Sequence, residues 1–326
     1  MIELQRKLSA FFVLGMLMLS TTFCAQAQIA LEEKQDRLFA SPEDIYFYSS
    51  EWDGERLDDG RPMVDDDLLE RLKNIKVEDV WQFLNEAGYR NQFEGGWKMI
   101  HDDEPITGRV MTAQYAPSRP DIEEKLTEIG QANGFSGPMN TWPIDVLQDG
   151  DVYVADGFGK IEQGTLIGDK LGNTIFGNSG NGVIFDGALR DVETLRDLDG
   201  FNAFSRGWSP TFLEEVMLSG VNVPIRIGDV KVMPGDVVLA KEMGVVFIPP
   251  HLVEDIVITA EIVMLRDRFV HVRVQEGVYT AGQVDQRWTQ EMEDDFEQWV
   301  REDSDRMDLM PVPFEEMQNY LEHRTW

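Results

Sequence analysis

Two short segments of this 326-residue chain carry residue types that could do chemistry together. The first is Gly164-x-x-x-Gly168-Asp169-Lys170-Leu171, which reads as a glycine-rich turn entering a helix. Backbone N–H groups at a helix start lack a preceding turn to bond to, and they receive carboxylates well. Taken alone, an ordinary capped helix start accounts for the segment. The second is Asp186-Gly187-Ala188-Leu189-Arg190-Asp191, directly after the apolar run Gly182-Val183-Ile184-Phe185. Charged residues at the C-terminal end of a strand project into the crevice where open α/β folds place ligands. Arg190 offers a planar, two-pronged grip on a carboxylate or enolate. Asp191 offers a hard oxygen ligand for Mg²⁺, an ion that keeps several waters and needs few protein groups. The plain alternative is a surface ion pair between the two.

Other common sites are excluded. His101, His251, His271 and His323 are scattered, with no His-x-x-x-His pair, which argues against a zinc hydrolase. No Gly-x-Ser-x-Gly elbow occurs. Gly177-Asn178-Ser179-Gly180-Asn181-Gly182 is glycine-rich but precedes a strand and lacks the lysine of a phosphate loop, so it reads as a helix-to-strand connection. Asp156-Gly157-Phe158-Gly159 reads as a turn ending a strand.

The elements that must position the two segments follow from apolar spacing. Val152–Ala155 and Gly182–Phe185 read as buried strands. The stretch from Gly168 to Asn178 reads as a turn and helix with Leu171 and Ile175 inward, and Asp191–Asp197 as a short helix. Val223–Ile227 alternates like a strand. Val237–Ala240 and Val245–Ile248 bracket a turn. His251 to about Gln275 has Ile256, Val257, Ala260 and Val263 spaced for one helix face. Upstream, Asp66 or Asp67 caps a helix carrying Leu68, Leu69, Leu72 and Ile75. A second helix starts near Glu78-Asp79 and stops at Gly88, and a third begins at Asp121. Strands mixed with helices in this order predict an α/β or α+β domain over 63–282.

The ends read differently. Arg6 and Lys7 precede the apolar run Phe11–Leu19, which is shorter than the ~20 residues of a membrane span. Ala25-Gln26-Ala27 then gives a cleavage pattern, so residues 1–27 read as a secretory signal peptide and the mature protein as periplasmic or secreted. Cys24 leaves a lipoprotein reading open, although Thr22-Phe23 fits it poorly. That cysteine is the only one in the chain, so the mature part has no disulfide and no thiol metal site. Residues 28–62 read as a polar extension lying on the surface. Residues 283–326 form an acidic tail. From Glu291 onward it holds twelve acidic residues against three arginines, yet Phe296, Trp299, Phe314, Tyr320, Leu321 and Trp326 punctuate it. That predicts an amphipathic appendage docked on the domain or on a neighbouring subunit. The formal net charge of −31 favours solubility and opposes binding to nucleic acid.

In combination these segments resemble the RraA-like / 4-hydroxy-4-methyl-2-oxoglutarate aldolase family. Its members carry a Gly-Glu/Asp-Leu-Leu turn, then Asp-Gly-x-x-Arg-Asp, then Val-x-Pro-Gly-Asp and Gly-Val-Val-x-x-Pro. This chain has Gly168-Asp169-Lys170-Leu171, Asp186-Gly187-Ala188-Leu189-Arg190-Asp191, Val232-Met233-Pro234-Gly235-Asp236 and Gly244-Val245-Val246-Phe247-Ile248-Pro249 in that order. The match covers residues 70–275 and is strongest over 150–250. Lys170 stands where an apolar residue is usual, and Lys241-Glu242 where many relatives have an aspartate.

The resemblance implies a swivelling β/β/α domain assembled as a homotrimer or hexamer. It implies a lyase, either a retro-aldolase or a decarboxylase, that uses Mg²⁺ or Mn²⁺ on a small 2-oxo acid and releases pyruvate. Asp191 would contact the metal. Arg190 would hold the oxo or enolate oxygen. The amides of Lys170 and Leu171, beside Gly168, would receive the carboxylate. Asp169 would orient a water for proton transfer, and Asp267 could complete the site from a neighbouring subunit. The rival is a non-catalytic relative, a regulator or a periplasmic ligand-binding protein.

Overall fold

The computed structural model describes residues 38–322, so the expected leader at 1–27 and Trp326 lie outside the described residues. The chain opens with α1 (Pro42–Tyr48), α2 (Asp66–Leu72) and α3 (Val77–Glu86), then β1 (Phe93–Glu94), β2 (Lys98–Met99) and β3 (Ile106–Pro117). Next come α4 (Pro120–Ala132), α5 (Trp142–Asp145), β4 (Asp151–Asp156), β5 (Thr165–Ile167), α6 (Asp169–Ser179), β6 (Val183–Leu189) and α7 (Val192–Arg196). The strands β7 (Ala203–Trp208), β8 (Val216–Val221), β9 (Ile225–Ile227), β10 (Val230–Val232), β11 (Val237–Lys241) and β12 (Gly244–Ile248) lead to the long helix α8 (Val253–Gln275). The tail adds α9 (Ala281–Val284), α10 (Gln290–Arg301), α11 (Ser304–Met307) and α12 (Phe314–Leu321).

Ten strands form one mixed sheet in the order β1-β12-β11-β3-β4-β6-β7-β2, with β5 on β6 and β8 on β3. The central strands β3, β4, β6 and β7 run parallel, while β11, β12, β1, β8 and β2 join antiparallel. Alternate residues of β4 explain why its sequence is a near-continuous apolar run. Tyr153 and Ala155 face one core with Phe185, Ile175 and Phe201, while Val152 and Val154 face another with Ile184 and Phe204. A strand covered on both faces has no solvent side on which to place polar residues.

A third core joins α2, α3 and the first half of α8 to β11 and β12 through Leu72, Val80, Leu239, Ile248 and Val257. The second half of α8 serves a fourth core. Ile262, Leu265 and Phe269 pack there on Phe296, Trp299 and Val300 of α10. The acidic tail thus docks on this chain's own long helix, and that helix belongs to two cores.

The extension departs from the surface reading. Leu38, Ile45 and Arg61 are buried, and Arg61 is the largest such side chain after Trp142. Its guanidinium bonds both oxygens of the buried Asp151 at 2.8 Å each, and its Nε bonds Asp59 at 2.7 Å. The helix near residue 66 is capped by Asp65, whose side chain accepts from the Asp67 amide, and not by Asp66 or Asp67.

Candidate active site

Both chemistry-bearing segments leave the sheet at its parallel part and meet. Strand β5 ends at Ile167, and Gly168 then caps α6. Strand β6 runs beside it to Leu189, and Arg190 and Asp191 follow. The Arg190 amide donates to the Ile167 carbonyl at 3.0 Å, which ties the two strand ends together. Ligand crevices form outside the carboxyl ends of parallel strands, where loops diverge and leave backbone groups free.

Gly168 is the point of closest approach. A Cβ there would lie 2.3 Å from Asp191 Oδ2 and 2.8 Å from Arg190 Nε, so any side chain at 168 would push both groups from their places over the first segment. Asp191 adopts a left-handed backbone with φ of 56°, a conformation few side chains other than Asn and Asp tolerate. It caps α7, and its Oδ2 accepts from the Asp169 amide at 3.3 Å. Arg190 Nε lies 3.5 Å from the same oxygen, and its guanidinium carbon sits 4.5 Å from the centre of the Phe212 ring. The first turn of α6 presents the amides of Lys170 and Leu171 with the positive end of the helix dipole behind them.

These groups line one cleft of about 640 Å³. Gly168, Asp169, Lys170, Leu171, Arg190 and Asp191, all singled out from sequence, border it together. Asp267 does not; its carboxylate pairs with Lys76 at 2.7 Å. Asp186, read as following its strand, lies inside β6 with its side chain buried and bonded to Arg206 at 2.7 Å. Sequence reasoning missed Pro138, Asn140, Thr141, Thr165, Phe212 and Leu213 along the rim. Thr165 opens β5, at an unspecified position of the first motif, and the others carry no motif, so only the folded chain brings them to the cleft.

Among the described residues, no group of three or more His, Cys, Asp or Glu side chains is placed to hold a metal ion. A single cleft carboxylate such as Asp191 fits Mg²⁺, which is often held by one or two carboxylates and its own waters. No helix among the described residues is long and apolar enough to cross a membrane.

Comparison with known proteins identifies the relationship. A family profile described as RraA-like, Aldolase/RraA, matches residues 64–247. DlpA of Legionella pneumophila is 27% identical over 214 residues, which make up 64% of this chain and 32% of DlpA, so the match spans about a third of that relative. A protein of Ectopseudomonas mendocina, provisionally named a 4-hydroxy-4-methyl-2-oxoglutarate aldolase, is 27% identical over 143 residues, 40% of this chain and 86% of its own length. The crystal structure of Streptomyces coelicolor RraAS2, described as an unusual member of the RNase ES inhibitor RraA protein family, superposes with a TM-score of 0.55 and 26% identity. It covers 65% of this chain and 100% of its own. The matched span is more than half of the chain and holds both segments of the cleft, and the chain belongs to the RraA-like family.

Proposed function

We propose that the protein is a divalent-metal-dependent lyase that cleaves a 4-hydroxy-2-oxo acid by a retro-aldol reaction and releases pyruvate. The observation that carries this reading is the convergence of a helix N-terminus, Arg190, Asp169 and Asp191 across Gly168 in one cleft. The amides of Lys170 and Leu171 hold the substrate carboxylate. The guanidinium of Arg190 donates to the 2-oxo oxygen, where negative charge grows as the C3–C4 bond breaks. The proton of the 4-hydroxyl passes to a water oriented by Asp169. The C3–C4 electron pair becomes the enolate, and a proton returned to C3 gives pyruvate beside a carbonyl fragment. Asp191 is the residue that would hold Mg²⁺ or Mn²⁺, which when bound supplies Lewis-acid stabilisation of the oxo oxygen. Export to the periplasm or beyond, and assembly as a trimer or hexamer, belong to the same proposal.

The test is pyruvate release from a panel of 4-hydroxy-2-oxo acids, with Mg²⁺, with Mn²⁺ and in excess chelator. Chelator and Asp191→Asn are each expected to abolish turnover while the fold stays intact, because an amide is a poorer ligand for a hard cation. Asp169→Asn is expected to lower kcat by about 10²–10⁴ while affecting oxalate affinity less. Full activity in chelator sinks the metal assignment. A folded protein that releases no pyruvate from any member of the panel favours the non-catalytic reading, a regulator or a ligand-binding protein.

A further inference from the structure

Phe212 is 61% exposed, and the loop that carries it is held in place. Thr211 Oγ1 accepts from the Gln163 amide at 2.7 Å and shares a hydrogen bond with Ser209 Oγ at 2.9 Å. On the other side, the amides of Glu214 and Glu215 both donate to the Gln163 carbonyl at 3.0 and 3.1 Å. Gln163 itself has a left-handed backbone with φ of 57°. The loop is thus pinned at Thr211 before Phe212 and at Glu214 after it, and the Arg190 guanidinium carbon lies over the ring at 4.5 Å from its centre.

The electron-rich face of the ring attracts the guanidinium and covers it from one side. Leu213, Pro138 and Leu171 line the same cleft. A substrate whose oxo acid end lies on Arg190 and the α6 amides therefore has an aromatic ring and aliphatic side chains within the cleft for its far end.

We propose that Phe212 is a specificity-determining residue, and that the substrate carries an aromatic or bulky apolar group on C4 rather than a second carboxylate. This inference rests on the retro-aldolase reading of the same cleft. An aromatic pair contributes about 0.5–1.5 kcal/mol beyond burial, which converts to a discrimination of up to about tenfold.

The experiment compares 4-hydroxy-2-oxo-4-phenylbutanoate with 4-hydroxy-2-oxopentanedioate in the wild type, Phe212→Ala and Phe212→Leu. Calorimetric affinities for 2-oxo-4-phenylbutanoate, which lacks the 4-hydroxyl and cannot be cleaved, and for pyruvate, and melting temperatures, are measured on the same three proteins. The wild type is expected to favour the phenyl substrate in kcat/KM. The ratio of the two kcat/KM values should fall about five- to tenfold in Phe212→Ala and less in Phe212→Leu, with affinity for 2-oxo-4-phenylbutanoate following. Equal losses on both substrates would make Phe212 a support for Arg190 alone and overturn the inference. Affinity for 2-oxo-4-phenylbutanoate untouched by Phe212→Ala overturns it whatever the turnover. If neither substrate is cleaved but binding of 2-oxo-4-phenylbutanoate still needs Phe212, the lyase reading fails and the aromatic recognition stands.

Discussion

Arg61 with Asp151 and Arg190 with Asp191 are the same two residue types in opposite circumstances. Arg61 and Asp151 are both fully buried, and their side chains meet in two parallel hydrogen bonds of 2.8 Å. Asp59 and the Gln148 amide complete the shell around them. Arg190 and Asp191 keep 31% and 42% of their side-chain surface in solvent, and their contact is a single 3.5 Å approach. The first pair turns its donors and acceptors wholly inward and ties the extension to the start of β4. The second is held by backbone and by Phe212, which leaves its polar groups facing a cleft. Charge in a protein becomes available for chemistry where its positioning is supplied by neighbours other than its charge partner.

The largest expected effect tests that contrast directly. Arg61→Ala leaves the Asp151 carboxylate buried without its partner and should cost about 3–5 kcal/mol, read from urea denaturation. Arg190→Ala should cost under about 1 kcal/mol, as exposed pairs do, while lowering kcat by about 10²–10³. Arg190→Lys should stay impaired, since an ammonium lacks the planar fork. The contrast breaks if Arg61→Ala unfolds at the wild-type urea concentration, or if Arg190→Ala is the variant that unfolds early.

The cleft was far more legible in the sequence than the node that anchors the extension. Gly168, Asp169, Arg190 and Asp191 lie within two short local patterns, and the apolar runs beside them give the strands that bring the patterns together. The mixed α/β fold expected from that alternation is the one observed. Strand β3 passed unnoticed although it is the longest strand described and lies centrally in the sheet. Thr107, Arg109, Thr112 and Gln114 interrupt its apolar residues, and the first three are buried. The two terminal nitrogens of Arg109 bond the carbonyls of Val64 and Asp149 and the carboxylate of Asp66, partners far away in sequence, while its buried Nε finds none. Arg61 was hidden for the same reason. A buried arginine is recognised by what it bonds, and no local spacing records a carboxylate 90 residues away.

Asp236 sharpens the comparison from the other side, as a buried carboxyl with no arginine. Its Oδ2 accepts from the Met233 amide at 2.9 Å, and burial, only partly offset by that bond, pushes its pKa up to about 7. The unfolded chain releases this proton near pH 4, about the ordinary aspartate value. Between those limits the native state binds more protons than the unfolded state, so this group's contribution to stability falls as pH rises from about 4 through about 7. Asp236→Asn keeps an acceptor for the Met233 amide and removes the proton. It should raise the melting temperature at pH 8 by a few degrees and leave it little changed at pH 4. A melting temperature with the same pH dependence as the wild type would show that Asp236 ionises normally in the folded chain.

The smallest effect is expected at Lys76 and Asp267, an exposed pair with 51% and 38% of the side-chain surface in solvent. The hydrogen bond to Asp267 raises the Lys76 pKa. Solvent screening and the entropy of two mobile side chains leave such a pair worth about 0.2–1 kcal/mol. Lys76→Ala and Asp267→Asn should therefore lose less than about 1 kcal/mol each, and should lose it to the same extent. Turnover then separates the two roles open to Asp267. Equal turnover in both variants makes it only the partner of Lys76. A loss confined to Asp267→Asn, in protein that light scattering shows to be a trimer or larger, requires its carboxylate to act in a neighbouring subunit's cleft, since Asp267 does not border the cleft of its own chain. The same loss in a protein that scatters as a monomer would exclude the neighbour and with it the shared-site assembly.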